Sequence, residues 1–368
     1  HKKIEHAELR KRIRKVFKNL LSHEMASSTF CRKMEGGLIY HCTVYLFHRK
    51  FNGCMSHLQI AVVYCKISIF AYDTTIMNME RYIVGIGDAL WDCLPEGRKL
   101  GGAPANFAYY MMLFGFDSLA VSAIGNDELG AEIKETFDKA GLKYMLQVTE
   151  YPTGTVTVDI DERGIPSYDI KENVAYDYMS YTPQLEEVAK KCNVACFGSM
   201  TQRNPVSRKT IRKFLESMPQ TVETYKVFDI NLRQHFYDKE IISESLRLCN
   251  VFKINDEELI IVKKMFGLDE KSDHDACMRL IEEWDLKFLI LTCGVNGSHV
   301  FTEKEYSFME TPEVEVADTV GAGDSFISAF MASVLKGESI RESHAMAVNV
   351  SAYVCTQNGA MVESLKFI

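Results

Sequence analysis

Asp318-Thr319-Val320-Gly321-Ala322-Gly323-Asp324 sets two glycines, an alanine and two carboxylates ahead of Ile327, Phe330, Met331, Val334 and Leu335, an apolar run with helical spacing. A helix start presents unpaired N–H groups and the positive end of the helix dipole. That environment suits an anion, with the amides of Gly321, Ala322 and Gly323 as its hole. An acid at such a place is ordinarily a cap. Beside an anion hole, Asp324 is also placed to take a proton from a hydroxyl attacking a phosphoryl group.

Other groups fall where an α/β sheet would present them. Asp88 follows a short apolar strand, Arg81–Gly87, and could grip a substrate hydroxyl, although a turn aspartate has the same signature. Gly101-Gly102 permits close backbone approach, and Asn106 four residues later offers a donor and an acceptor to a polyol; a loop with a helix cap is the plain alternative. Asp229-Ile230-Asn231-Leu232-Arg233 closes a strand with a charged fork suited to phosphate. Asn255 and Glu258 share the first turn of a helix, where they either order a hydrated magnesium or form a capping box. Thr292, Gly294 and Gly297 mark a glycine turn at another strand end. No Walker GxxxxGK[ST] and no HRD or DFG set is present, so a phosphate site must be the helix start at Gly321–Asp324.

The elements that must hold these groups read as alternating strand and helix. Strands are expected at Leu119–Gly125, Val194–Gly198, Lys226–Ile230, Val251–Ile254, Phe288–Thr292 and Gly297–Phe301. Helices are expected at Asn126–Gly141, Asn204–Ser217, Glu240–Leu248 and Asp256–Phe266. This is the rhythm of a doubly wound, mostly parallel sheet flanked by helices. Gly154–Asp161 instead alternates, Asp161–Gly164 is a turn and Pro166–Ile170 pairs back. A hairpin with one wet face there predicts a small β lid.

Composition narrows the field. The 368 residues carry a net charge of −8, against nucleic acid as a main partner. The 11 cysteines form no CxxC pair; Cys192 and Cys196 read as buried thiols rather than zinc ligands, which fits a cytoplasmic setting. His235, His274, His299 and His344 show no ligand spacing. Residues 1–78 differ from the rest: 13 Lys and Arg against 5 Asp and Glu, where the remainder has 29 against 45. They read as an accessory domain, a basic arm with a helix over Lys2–Leu21, or translated sequence upstream of a start at Met79, the last being preferred. Neither a secretory signal nor a membrane span is expected.

Taken jointly and in order, Gly101-Gly102 with Asn106, Asn255-x-x-Glu258, Thr292-x-Gly294-x-x-Gly297 and Asp318–Asp324 resemble the ribokinase-like (PfkB) carbohydrate kinases, most closely the fructokinases; Ala103-Pro104 stands where ribokinases generally have a lysine. The resemblance covers Met79 to the end. It implies a ribokinase-like fold and an ATP- and magnesium-dependent sugar kinase with Asp324 as base. It places Asp88, Gly101, Gly102 and Asn106 on the sugar, Arg233 near the transferred phosphate, and Asn255 and Glu258 at the ATP phosphates and hydrated magnesium. Thr292, Gly294 and Gly297 would line the nucleotide, Asn349 would approach adenine, and Asp318 would help bind a monovalent cation, usually potassium. Fructose is the expected acceptor, with ribose, a nucleoside or 2-keto-3-deoxygluconate as alternatives, and a silent sugar sensor as the non-enzymatic one. A homodimer through the Gly154–Ile170 hairpin is a further implication.

Overall fold

The computed structural model describes residues 29–33, 38–45, 64–71, 82–94, 97–160, 166–269 and 271–365. It divides into two units, His1–Met79 and Glu80–Ile368. The first contains β1 (Thr29–Lys33), β2 (Leu38–Tyr45) and β3 (Tyr64–Ala71), an antiparallel sheet in that order. The helix expected over Lys2–Leu21 lies outside the described residues.

The second unit opens with β4 (Tyr82–Ile86), β5 (Leu90–Leu94), β6 (Gly97–Gly101), α1 (Ala103–Leu113), β7 (Ser118–Gly125), α2 (Glu128–Ala140) and β8 (Lys143–Thr149). There follow β9 (Gly154–Ile160), β10 (Pro166–Ile170), α3 (Pro183–Lys191), β11 (Cys192–Phe197), α4 (Pro205–Ser217), β12 (Tyr225–Asp229), α5 (Lys239–Leu248), β13 (Val251–Asn255) and α6 (Asp256–Phe266). The chain ends through α7 (Asp273–Trp284), β14 (Phe288–Thr292), β15 (Ser298–Phe301), β16 (Tyr306–Met309), α8 (Ala322–Leu335) and α9 (Ile340–Cys355).

Nine strands form the main sheet in the order β16-β15-β14-β13-β12-β11-β4-β7-β8. The run from β8 to β14 is parallel, and β15 and β16 add an antiparallel edge. The parallel strands are covered on both faces, which is why β7 is buried along its whole length. One face packs Ile211 and Phe214 of α4, Leu246 of α5, Val262 of α6 and Leu280 of α7. The other packs Phe107 and Tyr110 of α1, Phe330 of α8 and Val350 of α9. Strand order reverses between β4 and β11, so the C-terminal ends there open a crevice.

The lid is larger than a hairpin. β9 and β10 pair as expected, but β9 also runs parallel to β5, and β5 pairs with β6, giving β10-β9-β5-β6. β5 and β6 are five residues each, with no clear alternation, so the sequence carries little sign of them. β8, α3, α7 and β16 were also unanticipated. Cys192 and Cys196 are buried but enter opposite core layers, because the β4–β11 register shifts between Cys192 and Val194; burial pushes both thiols up. They cannot share a metal. Among the described residues, no helix is long and apolar enough to cross a membrane.

Candidate active site

α1 and α8 pack side by side, and their N-terminal ends meet in the crevice. Gly102 is the N-cap of α1 at φ +119°, and a Cβ there would fall 2.4 Å from the Asp88 carbonyl oxygen, a position closed to any side chain. Gly321 is the N-cap of α8 at φ +80°, and a Cβ there would fall 2.8 Å from Ala360. The two helix starts are joined by one hydrogen bond: Asn106 Nδ2 donates to Asp324 Oδ2 at 2.7 Å. The side-chain oxygen of Asn106, Oδ1, is buried without a partner.

Asp324 lies in the first turn of α8, beside the amides of Gly321, Ala322 and Gly323. Burial and the nearby Asp229 charge raise its pKa to about 6, against the Asn106 hydrogen bond and the Lys253 and Arg233 charges. A carboxyl with that pKa is ionised at neutral pH and still accepts a proton readily.

Beneath the α8 start lies a charge cluster. Lys253 Nζ, 9% exposed, pairs with Asp229 Oδ1 at 3.0 Å. Burial opposes the ammonium, but Asp229, Glu258 and Asp324 outweigh it and hold Lys253 above its usual pKa. A Cβ on Gly323 would come within 2.9 Å of Lys253 Nζ, so the glycine leaves the ammonium its space. Glu258 is buried and raised, mainly by burial. Its oxygens accept the Leu232 amide at 2.8 Å and the Asn255 amide at 2.9 Å, while Asn255 Oδ1 accepts the Glu258 amide at 2.7 Å. The capping box therefore exists, and it also anchors the loop that carries Arg233.

Asp88 is buried and accepts the Thr201 hydroxyl at 3.0 Å; burial raises its pKa. Asp92, on lid strand β5, went unremarked in the sequence. Its Oδ2 lies 2.5 Å from where a Cβ of Gly101 would stand, and burial together with the Asp88 charge pushes its pKa up to about 6. Its signal was only an acid inside the apolar stretch Leu90–Leu94. Arg233 is exposed, and its charge reaches Asp88, Asp92 and Asp324 alike, which sets it between the acids of the lid side and Asp324.

Asn255 and Thr292 are register partners at the ends of β13 and β14. Gly294 and Gly297 follow in the turn into β15, Gly294 exposed and Gly297 buried against Phe308 and Met309. Asn349 is exposed on α9; two residues on, Ser351 Oγ donates to the Ala322 carbonyl at 3.0 Å. Asp318 sits ahead of α8, tied to Val320, Gly359 and Lys99. The structure thus gathers Asp88, Gly101, Gly102, Asn106, Arg233 and Gly321–Asp324 around one crevice. Glu258 and Asn255 lie at its flank, with Thr292 beside Asn255.

Fold and crevice define a doubly wound α/β protein with a buried carboxylate at a helix start in its crevice. The chain belongs to the pfkB family of carbohydrate kinases, which it matches over residues 66–366, a stretch that opens upstream of Met79. It is a sugar kinase that phosphorylates an alcohol group. An ATP-dependent 6-phosphofructokinase of Thermoanaerobacterium thermosaccharolyticum is 26% identical, covering 79% of this chain and 93% of that one. A fructokinase of Salmonella typhimurium is 25% identical, covering 77% and 96%. Among solved structures, a fructokinase with bound ATP from Xylella fastidiosa shares the fold at a TM-score of 0.68 and 20% identity, over 77% of this chain and 95% of that one.

Proposed function

We propose that this kinase transfers the γ-phosphoryl group of ATP to D-fructose, giving fructose 6-phosphate. The observation that carries the reading is the Asn106–Asp324 hydrogen bond, which fixes a base at the mouth of an amide hole and leaves Asn106 Oδ1 to accept a sugar hydroxyl. Asp88, Asp92 and the Gly101-Gly102 backbone would hold the remaining hydroxyls. Asp324 would take the 6-hydroxyl proton as the phosphoryl group loosens. The amides of Gly321, Ala322 and Gly323, with Arg233, would receive the developing charge.

Charge argues for a neutral acceptor. Asp88 and Asp92 face the sugar end, and two of the cations around them are spent: Arg203 on Asp177 at 2.8 Å and Lys99 on Asp318 at 2.9 Å. A sugar phosphate or a sugar acid would meet like charge there. This favours fructose over fructose 6-phosphate or 2-keto-3-deoxygluconate; ribose and nucleosides are neutral and are separated by pocket shape.

Among the described residues, no three His, Cys, Asp or Glu side chains converge on a direct metal site. That donor set fits a hydrated magnesium carried by the ATP phosphates, with Glu258 and Asn255 reaching it through water. When bound, it would neutralise phosphate charge. Thr292, Gly294, Gly297 and Asn349 would border the nucleotide. A homodimer through the four-stranded lid and a cytoplasmic setting complete the proposal.

The test is ADP release on a panel of fructose, fructose 6-phosphate, ribose, adenosine and 2-keto-3-deoxygluconate, with Asp324→Asn in parallel. Fructose should give the highest kcat/KM. Asp324→Asn should lower kcat by about 10²- to 10⁴-fold. Parental turnover by that variant would remove Asp324 as base, and no sugar turned over by the parent would defeat the proposal.

A further inference from the structure

The resemblance makes Asp318 a ligand for a monovalent cation, and the structure shows that its carboxylate is already satisfied. Oδ1 accepts the Val320 amide at 3.0 Å. Oδ2 accepts the Gly359 amide at 3.1 Å and the Lys99 ammonium at 2.9 Å. The pair is partly shielded, with side-chain exposures of 33% for Lys99 and 16% for Asp318. A potassium ion on Asp318 would stand against that ammonium, two like charges on one half-buried carboxylate. The residues present do not fit the ion.

We propose that Lys99 is the cation of this site: its ammonium, carried by lid strand β6, takes the place and charge of a monovalent ion, so the kinase needs no potassium. The inference rests on reading the α8 start as the phosphoryl site.

The surroundings show what a cation at Asp318 would do. The loop ahead of α8 is held against the chain after α9: the amides of Ala317 and Asp318 both donate to the Cys355 carbonyl, at 2.8 and 3.3 Å. Gly321 packs on Ala360. Ala360 and Val362 are in turn held from α1, where Tyr110 and Tyr109 donate their hydroxyls to those carbonyls at 2.6 and 2.7 Å. Asp318 is held within this frame by the Val320 and Gly359 amides. Although burial opposes it, the Val320 amide, Lys99 and the Gly359 amide keep its carboxyl below the usual range. Neutralising that charge holds Asp318–Gly321 in the conformation that aims the amides of the hole. An ion from solvent can do this in any state of the lid. Lys99 does it only when β6 is in place, two residues ahead of Gly101, so lid position and anion hole become one unit. Lys99 is a positioning residue, acting on the phosphoryl site through Asp318.

The experiment compares parent and Lys99→Met full-length protein in tetramethylammonium chloride and in potassium chloride at equal ionic strength, reading sugar-kinase kcat/KM and thermal midpoint. The parent should change within about twofold between the two salts. Lys99→Met should lose about tenfold or more in tetramethylammonium and regain activity with potassium or ammonium. Its midpoint should rise with potassium, while the parent's should not. Severalfold activation of the parent by potassium overturns the proposal, as does full activity of Lys99→Met without it. If the variant does not fold, the parent's own potassium titration decides. A parent inactive on every sugar defeats the functional reading instead, and the parent's midpoint in the two salts then decides for Lys99.

Discussion

In the proposed reaction, Asp324 and Asn106, joined by their hydrogen bond, form the unit on which the chemistry turns. The pKa of about 6 on Asp324 results from burial and Asp229 pushing up and the Asn106 amide, Lys253 and Arg233 pulling down. Activity should therefore fall on the acid side, as the base becomes protonated through about pH 6. Asn106→Ala removes a donor that favours the carboxylate, so the acid limb of kcat/KM should move to higher pH as well as the rate falling. An unmoved limb in Asn106→Ala would mean that another group sets the profile. Asp324 and Asn106 were legible because glycines, an acid and an amide at fixed spacing have few other uses. Lys253, Lys99 and Asp92 were not. Lys253 meets Asp229 only because β12 and β13 are neighbours, and Lys99 meets Asp318 across 219 residues. Nothing local in the chain records either contact.

At the scale of elements, α9 is fastened to the antiparallel edge of the sheet by one imidazole. His344 is fully buried; Nε2 pairs with Ser298 Oγ of β15 at 2.8 Å and Nδ1 with Ser307 Oγ of β16 at 2.9 Å. Burial, with a smaller effect of His299, lowers its pKa to about 4. The folded state therefore holds a neutral histidine that the unfolded chain protonates near its ordinary pKa, about 6.5. The stability it contributes is complete above about pH 6.5 and is lost as pH falls toward 4, on the order of 1.4 kcal/mol per unit in that window. His344→Asn should lower the thermal midpoint most above pH 7, and the gap to the parent should narrow by pH 5. A gap independent of pH would show that packing alone is at stake. The sequence announced most of the parallel strands, and the helices α2, α4, α5 and α6, through apolar runs and periodicity, but not β8, α3 or α7. It concealed β5 and β6 because short strands in a lid are set by their partners, β9 for β5 and β5 for β6, rather than by their own pattern.

Taken whole, the chain joins a basic stretch to an acidic kinase unit, and the question is which part the catalyst requires. Among the described residues, all nine strands of the main sheet come from residue 82 onward, as do the core layers on both its faces. Every residue assigned to the site also lies beyond residue 82, from Asp88 to Asn349. The family match, however, opens at residue 66, so the stretch from there to Met79 is the segment in question. We expect a chain beginning at Met79 to keep kcat/KM within about twofold of the full chain, because among the described residues no strand pairing of the main sheet and no site group is removed. A second chain beginning at Lys66 serves as the control. Comparable activity in all three assigns catalysis to the later unit. Activity in the Lys66 chain but not in the Met79 chain would place residues 66–78 in the working enzyme. Loss in both would make the basic unit part of the catalyst and overturn a boundary drawn at Met79.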